Sequence, residues 1–281
     1  HIKMTNQLSK EMMNYNVLLT GATGGIGQAF SRVLYTAGAN LVLVGRNEDK
    51  LTQLKDELQA SNPRAKNTVV TFIVDILQHD QRDSLIDKLV SLPFNINLLI
   101  NNAGVSQFKL FEHASDSEIN NIITTNTIAP MQLTQALLPM LKQRKMAQII
   151  NIGSTYGSIG FPGYAAYCAS KFALRGFSQT LSRELADTNI SVKYLSPRAT
   201  KTDFNSPEVD KLNTELNSNV DSAETVAIEL LCLIDQSNDE RYIGWPEKFF
   251  VRVNQLFPSL VSKSIIKQLP IIKKYASNYS L

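Results

Sequence analysis

Residues 17–34 read VLLTGATGGIGQAFSRVL: a short apolar run, a glycine-rich turn and then a helical pattern. In the helical part, Phe30, Val33 and Leu34 recur at the spacing of one helix face. A strand, a glycine turn and a helix in this order suit a dinucleotide, because glycines let the backbone approach a pyrophosphate at the helix N-terminus. The turn is not a Walker loop, since no Gly-Lys-Ser/Thr closes it. The alternative is an ordinary strand–helix turn whose glycines bind nothing.

Strand and helix patterns continue to alternate along the chain. The predicted strands are 41–44, 68–74, 97–100, 149–152, 190–195 and 241–244, and the predicted helices are 47–60, 79–92, 120–142, 165–186 and 221–236. Such alternation predicts a doubly wound α/β fold, with a parallel sheet and helices on both faces. The carboxyl ends of its strands meet at one edge, so Thr20, Arg46, Asp75, Asn101 and Ser154 are expected to gather there.

Arg46 follows the second predicted strand, where a dinucleotide's adenosine ribose is normally bound. An acidic residue at this place binds a 2′-hydroxyl, whereas an arginine suits a 2′-phosphate. Arg46 therefore favours NADP(H) over NAD(H), and a solvated loop arginine is the alternative. Asn47, the next residue, is expected to cap the helix that follows.

Residues 153–171 read GSTYGSIGFPGYAAYCASK, between a predicted strand and a predicted helix. Tyr167 and Lys171 are four residues apart, so they share one face of that helix. A neighbouring ammonium stabilises a phenolate and lowers its pKa from about 10. With the Ser154 hydroxyl at the strand end, these groups suit proton exchange with a carbonyl or alcohol oxygen. Alone, a tyrosine and a lysine at this spacing are more often a surface pair.

Composition bounds the class of protein. A chain of 281 residues with 43% apolar and 19% charged residues suits one large α/β domain or two small ones. A net charge of +3 gives no sign of nucleic-acid binding, and two cysteines with three scattered histidines give no disulfide framework or metal site. No run of about twenty apolar residues is present, and residues 1–13, an expected N-terminal tail, lack a signal-peptide core. We expect a cytoplasmic protein.

These motifs, taken in order, resemble those of the single-domain members of the short-chain dehydrogenase/reductase family. The matching residues are Thr20-Gly21-x-x-x-Gly25-x-Gly27, Asp75, Asn101-Asn102-Ala103-Gly104, Asn126, Ser154 and Tyr167-x-x-x-Lys171. The resemblance implies a Rossmann-type seven-stranded parallel sheet over residues 14–245. It also implies NADP(H)-dependent interconversion of a ketone or aldehyde and an alcohol, and a homodimer or homotetramer formed through the helices that carry Asn126 and Tyr167.

The resemblance also implies a role for each matching side chain. Tyr167 would be the catalytic acid/base, Ser154 would hold the substrate oxygen, and Lys171 would lower the tyrosine pKa and bind the nicotinamide ribose. Asn126 would hold a water that relays protons to Lys171, and Asp75 would contact the adenine. The residues expected to bind the cofactor are Thr20, Gly21, Thr23, Gly25, Ile26, Gly27, Arg46, Asp75, Asn102, Ala103, Gly104, Tyr167, Lys171, Pro197 and Thr202.

The chain departs from the family pattern after the sixth strand, where Pro-Gly is usual. Pro197 and Thr202 match, but Arg198 stands in place of the glycine. Arginine would be strained if the turn required a positive φ. Arg198 either contacts an acidic group of the substrate or faces solvent, and the assignment of Thr202 to the nicotinamide carboxamide is correspondingly weaker.

The expected substrate pocket is aromatic. Its candidate walls are Tyr156, Phe161, Tyr164 and Phe204, each of which could instead be a packing residue, and Ser154 would bind the substrate oxygen. The polar segment 203–222 is expected to cover the substrate. These walls suggest an apolar or acyl-type substrate.

The segment 246–281 lies beyond what the family requires. It has six basic residues and one acidic residue, and Phe249, Val253 and Leu256 recur at helical spacing until Pro258 starts a second predicted helix. A basic amphipathic segment can lie on an anionic membrane or meet acyl chains. The favoured alternative is a helical cap packed on its own domain or on a partner subunit.

Two other functions compete with an oxidoreductase. A non-catalytic NADP(H)-binding regulator could use the same fold, although a buried phenol–ammonium pair would serve it no purpose. A serine hydrolase using Ser154 fails because no histidine follows His113 and no G-x-S-x-G surrounds the serine.

Overall fold

The computed structural model describes residues 12–276, so residues 1–11 of the predicted N-terminal tail and residues 277–281 of the C-terminal segment lie outside the described residues. The strands are β1 Asn16–Thr20, β2 Asn40–Gly45, β3 Val69–Ile73, β4 Leu98–Asn101, β5 Ala147–Ile152, β6 Ile190–Ser196, β7 Thr200–Lys201, β8 Asp221–Ser222 and β9 Glu240–Tyr242. Seven of them form one sheet in the order β3-β2-β1-β4-β5-β6-β9, with every neighbouring pair parallel. The predicted seven-stranded Rossmann-type sheet is confirmed.

Ten α-helices are described, and they connect the strands or follow them. They are α1 Gly25–Thr36, α2 Glu48–Ser61, α3 His79–Val90, α4 Asp116–Ile123, α5 Ala129–Lys142, α6 Ala165–Glu184, α7 Pro207–Glu215, α8 Ala223–Asp235, α9 Glu247–Leu256 and α10 Pro258–Ala276. The predicted helix 120–142 is two helices joined by a π-helical turn, Thr124–Ile128. Asn47 caps α2 as predicted, since its side chain accepts a hydrogen bond from the Lys50 backbone N–H.

The sheet is buried between two apolar layers. On one face, Phe30 and Leu34 of α1 and Leu230 of α8 pack with β1 and β2 in one cluster. On the other face, Leu85 of α3 and Leu137 of α5 pack in a second cluster. Strands covered on both faces read as continuous apolar runs, which explains why the sequence pattern located them.

The C-terminal helices fold back onto the same domain. Ile272 and Ala276 of α10 lie in a third cluster with Val209 and Leu212 of α7, and Lys274 Nζ lies 2.7 Å from a Glu215 carboxylate oxygen. The predicted segment 203–222 therefore contains a helix whose outer side is held by α10. Within residues 12–276, no helix combines the length and apolarity that a membrane span requires.

Candidate active site

A cavity of about 640 Å³ lies at the carboxyl edge of the sheet. Its lining comes from the glycine turn before α1, from residues that follow β2 to β6, and from α7. Arg46, Asp75 and Ser154 all face it, as the parallel topology predicts. Every predicted cofactor residue except Thr20 lines it: Gly21, Thr23, Gly25, Ile26, Gly27, Arg46, Asp75, Asn102, Ala103, Gly104, Tyr167, Lys171, Pro197 and Thr202.

The glycine turn is packed against the loop after β4. Gly21 has φ +62°, and a Cβ there would lie 2.7 Å from Ala103 Cα. Thr20 is buried below this contact, where its Oγ1 accepts hydrogen bonds from the backbone N–H groups of Asn102 (3.0 Å) and Ala103 (3.1 Å). Thr20 therefore positions the loop and does not line the cavity.

The same turn fits the pyrophosphate of a dinucleotide. A Cβ on Gly27 would lie 2.1 Å from the Gly21 carbonyl oxygen, so the turn closes only without side chains. The N-cap of α1 is Gly24, and the first turn carries no acidic residue. The N–H groups at that helix end are therefore left for a ligand, and the helix dipole favours an anion there.

Ser154, Tyr167 and Lys171 meet at the base of the cavity. Tyr156 N–H donates to Ser154 Oγ at 3.1 Å, and the Ser154 hydroxyl lies close enough to the Tyr167 phenol to act on its pKa. Lys171 Nζ donates to the Ile152 carbonyl at 2.9 Å and lies 5.7 Å from the centre of the Tyr167 ring. The end of β5 and the first turns of α6 thus bring together the three groups that the sequence singled out.

Tyr194 of β6 supports Ser154, and the sequence did not identify it. A Cβ on Gly153 would lie 1.9 Å from Tyr194 Cζ, so the tyrosine ring occupies the space that a side chain would need. Ser154 N–H donates to the Tyr194 hydroxyl at 3.3 Å. A glycine directly before the serine was the only local signal of this contact.

Burial sets the proton affinities at this site. Burial raises the pKa of Tyr167 to about 12, against an opposing effect of the nearby Ser154 hydroxyl. Burial also lowers the pKa of Lys171 to about 8. The prediction that Lys171 brings the tyrosine pKa below 10 is wrong for this structure, because removal of the phenol from water is the larger effect.

Asn126 lies behind the cavity and not on its wall. Its Oδ1 accepts from Val105 N–H at 2.8 Å, and its Nδ2 donates to the Val105 carbonyl at 2.9 Å and to Ser170 Oγ at 3.0 Å. It sits in the π-helical turn, a feature that is frequent at functional sites. Asn126 therefore joins the loop after β4 to the part of α6 that carries Lys171.

Aromatic rings form the side of the cavity that is expected to take the substrate. Tyr156, Tyr164 and Phe204 line it, as expected, whereas Phe161 lies behind Tyr156 with the ring centres 5.2 Å apart. Phe161 is thus a packing residue. Helix α7 adds Val209 to the wall, which the sequence pattern did not indicate because the segment reads as polar.

Arg198 forms a clamp of ion pairs. Its Nη2 lies 2.7 Å from an Asp221 carboxylate oxygen and its Nη1 lies 2.8 Å from a Glu247 carboxylate oxygen. Nη1 also donates to the Trp245 carbonyl at 3.3 Å. Arg198 has no positive φ, so the missing glycine causes no strain. The Arg198 side chain is only 15% exposed, so it does not face solvent. Its donors are engaged by Asp221, Glu247 and the Trp245 carbonyl, so they are not free to bind an acidic group of a substrate.

The family model of the short chain dehydrogenases matches residues 15–213. Nodulation protein G of Rhizobium sp. (strain N33) is 35% identical over 203 residues, which are 72% of this chain and 78% of that protein. The 3-ketodihydrosphingosine reductase of Bos taurus is 32% identical over 235 residues, 82% of this chain and 71% of that protein. The 3-oxoacyl-[acyl-carrier-protein] reductase FabG of Rickettsia typhi is 33% identical over 196 residues, 70% and 75% of the two chains.

Solved structures share the fold. A short-chain dehydrogenase from Sphingobium yanoikuyae in complex with NADPH has a TM-score of 0.73 and 26% identity, covering 88% of this chain and 95% of that one. A short-chain dehydrogenase/reductase from Burkholderia phymatum in complex with NAD has a TM-score of 0.78 at 22% identity, with the same coverage of the two chains.

Proposed function

The chain belongs to the short-chain dehydrogenase/reductase family, and we propose that it is an NADP(H)-dependent oxidoreductase that interconverts a ketone or aldehyde and an alcohol. The observation that carries the proposal is that Ser154, Tyr167 and Lys171 line the same cavity as the glycine turn. A site for a dinucleotide and a proton donor face one space, which is what hydride transfer to a carbonyl requires.

The residues present fit a dinucleotide. The turn from Gly21 to Gly27 would hold the pyrophosphate, Asp75 would contact the adenine, and Lys171 would bind the nicotinamide ribose. Thr202 lines the cavity near Gly25 and is the candidate for the carboxamide. The bound cofactor supplies the hydride.

Tyr167 supplies the proton. With a pKa of about 12, its phenol stays protonated at neutral pH and is ready to donate to a substrate oxygen. The Ser154 hydroxyl hydrogen-bonds that oxygen, and the Lys171 ammonium stabilises the phenolate left on Tyr167. Asn126 would hold the water through which Tyr167 and Lys171 recover the proton.

Arg46 supports a preference for NADP(H). It lines the cavity directly after β2, where an arginine pairs with a 2′-phosphate. Arg46→Ala should weaken NADPH binding by about tenfold or more while leaving NADH binding nearly unchanged. Equal losses for the two nucleotides would contradict the preference.

An apolar, acyl-type substrate is supported by two observations. Tyr156, Tyr164 and Phe204 give the cavity an aromatic wall beside Tyr167. Two relatives are named as reductases of a 3-keto or 3-oxoacyl compound. We propose that this chain takes a carbonyl on an apolar or acyl group.

The chain is also proposed to be a homodimer or homotetramer. Ile128 of the π-helical turn, Met131 of α5 and Phe172 of α6 are exposed, on or next to the helices through which the family resemblance implies association. Light scattering after gel filtration would measure the state directly, and a monomer at micromolar concentration would contradict the proposal.

Fluorescence titration with NADPH and NADH, followed by NADPH oxidation with aldehydes, ketones and 3-oxoacyl thioesters, tests the function. Turnover of any of these carbonyls supports it, and Tyr167→Phe should then remove turnover with little change in NADPH binding. Tight binding without turnover across the panel would favour a non-catalytic regulator.

A further inference from the structure

Exposed apolar side chains are concentrated in the C-terminal segment. Among residues 12–276, seven of the eighteen exposed large hydrophobic side chains fall between positions 245 and 266. They are Trp245, Phe249, Phe250, Leu256, Phe257, Leu260 and Ile266, and together they are called the apolar C-terminal face. Trp245 is 71% exposed and Leu256 is 72% exposed, so these rings and chains are not core residues. Apolar surface concentrated in this way marks an interaction site.

This face is not the side by which the two helices pack on the domain. Val251 of α9 and Val261 of α10 are buried in a cluster with Ile159, while Ile272 of α10 is buried against α7. The Asn254 side chain further donates to the Ser158 carbonyl at 2.9 Å. Helices α9 and α10 are therefore attached through their inner sides, and their outer side is presented without cover in the described protein.

Basic side chains flank the apolar C-terminal face. Lys248 and Arg252, one turn apart on α9, are exposed beside Phe249 and Leu256. Lys263 and Lys267, one turn apart on α10, are exposed beside Leu260 and Ile266. The acidic residue of this segment, Glu247, is turned inward to Arg198. The outward charge of the face is thus positive throughout.

We propose that the apolar C-terminal face docks the protein onto an anionic lipid bilayer. Aromatic and aliphatic side chains enter the interface of a bilayer, while flanking lysines and arginines reach anionic headgroups. A second copy fits less well, because a twofold contact would bring the basic residues of both copies into one interface without acidic partners from this face. Charge complementarity therefore selects an anionic surface.

Docking would bring the membrane next to one wall of the cavity. Glu247, the first residue of α9, lines the cavity and is held by Arg198, while Trp245 and Phe249 stand beside it with ring centres 5.8 Å apart. The face thus begins at the cavity wall. If the proposed function holds, an apolar substrate in the bilayer would lie close to the site.

Sedimentation with vesicles tests the docking. The full chain is mixed with phosphatidylcholine vesicles, with or without about 30% phosphatidylserine, at low and high salt. The expected result is binding at least about tenfold stronger to the phosphatidylserine vesicles, and weaker binding at high salt. Absence of binding to the anionic vesicles would overturn the proposal.

Two sets of variants separate the apolar and charged parts. Phe249→Ser with Phe257→Ser, and separately Lys248→Glu with Lys263→Glu, should each weaken vesicle binding by at least about tenfold. The matched control is Phe111→Ser, an exposed phenylalanine outside the face, which should bind as the parent does. The proposal would be overturned if both double variants bind the anionic vesicles as the parent does. It would also be overturned if they lose a dimer and keep their vesicle binding.

The readout does not depend on catalysis. Vesicle binding needs no nucleotide or substrate, so failure of the proposed function would leave the docking result unaffected. None of the substituted residues lines the cavity, so a folded variant should bind NADPH as the parent does. Circular dichroism and NADPH titration check this for each variant.

Discussion

The nucleotide side of the cavity is formed mainly by backbone, whereas the substrate side is formed by side chains from distant segments. On the nucleotide side, the glycine turn, the loop after β4 and the N-terminus of α1 are fixed by the sheet. On the substrate side, α7 packs on Ile272 and Ala276 of α10, and Arg198 in the cavity wall binds Asp221 and Glu247.

This difference separates two ways of building a site. Backbone atoms at strand ends are placed by the fold, so the nucleotide side follows from the sheet together with the glycines that let the turn close. The substrate side depends on particular residues in the last third of the chain, where this protein departs from its family. The two sides should therefore respond differently to substitution.

Gly27→Ala should have the largest effect and should act on the nucleotide side. Its Cβ would lie 2.1 Å from the Gly21 carbonyl oxygen, so the turn must open. We expect NADPH binding to weaken by at least about 1000-fold, about 4 kcal/mol, in a fluorescence titration. The control is Gly176→Ala in α6, where a Cβ meets nothing within 4 Å and stability should be kept or raised by up to about 1 kcal/mol. Normal NADPH affinity of Gly27→Ala would show that the nucleotide side does not need the closed glycine turn.

Ile272→Ala should act on the substrate side. The side chain is fully buried in the cluster with α7, so a cavity there should cost about 2–4 kcal/mol of unfolding free energy. A loosened α7 should raise the KM for the carbonyl substrate while NADPH affinity stays unchanged. Ile266→Ala on the same helix is 62% exposed and should change stability by less than about 0.5 kcal/mol. Equal effects of the two variants in denaturant unfolding would argue against the support that α10 gives to α7.

Arg198→Met should have a smaller effect on the same side. It leaves the Asp221 carboxylate, whose side chain is 10% exposed, without its bidentate partner. We expect a loss of about 1–3 kcal/mol in stability and a higher KM for the carbonyl substrate. Arg175→Met removes a similar pair with Glu240 away from the cavity, so it should lower stability without changing that KM. An unchanged KM in Arg198→Met would show that the Arg198 ion pairs do not affect the substrate side of the cavity.

The pH dependence of reduction should show the smallest effect, at the point where the two sides meet. Burial lowers the pKa of Lys171 to about 8, so its positive charge is present below that pH and is lost as the pH rises through it. Tyr167, with a pKa of about 12, stays protonated over this range. We therefore expect kcat/KM for reduction to fall above about pH 8.

Lys171→Arg provides the matched control for that profile, because a guanidinium keeps its charge. Whatever activity it retains should lack the fall near pH 8. The same fall in both proteins would mean that another group titrates there.

Much of the site was predictable because local patterns encode it. Runs of apolar residues located the strands, and Gly21 to Gly27 and Tyr167-x-x-x-Lys171 marked the two halves of the site. Thr20, Asn126 and Phe161 were correctly placed near the site, but the structure puts them behind its surface. Sequence spacing predicts the face of a helix or strand on which a residue lies. It does not predict whether a neighbouring residue stands between that residue and the cavity.

Local sequence patterns were enough to predict the parallel α/β sheet, the cavity at its carboxyl edge and the residues that we propose for proton transfer. Short apolar runs, the 3.6-residue period of helices and glycine turns are local properties of a chain. Only tertiary contacts show that Arg198 binds Asp221 and Glu247, that Tyr194 supports Ser154, and that burial raises the Tyr167 pKa. The contacts of Arg198 and Tyr194 join residues 23 to 49 positions apart, and desolvation depends on everything packed around a group, so no local pattern carries them.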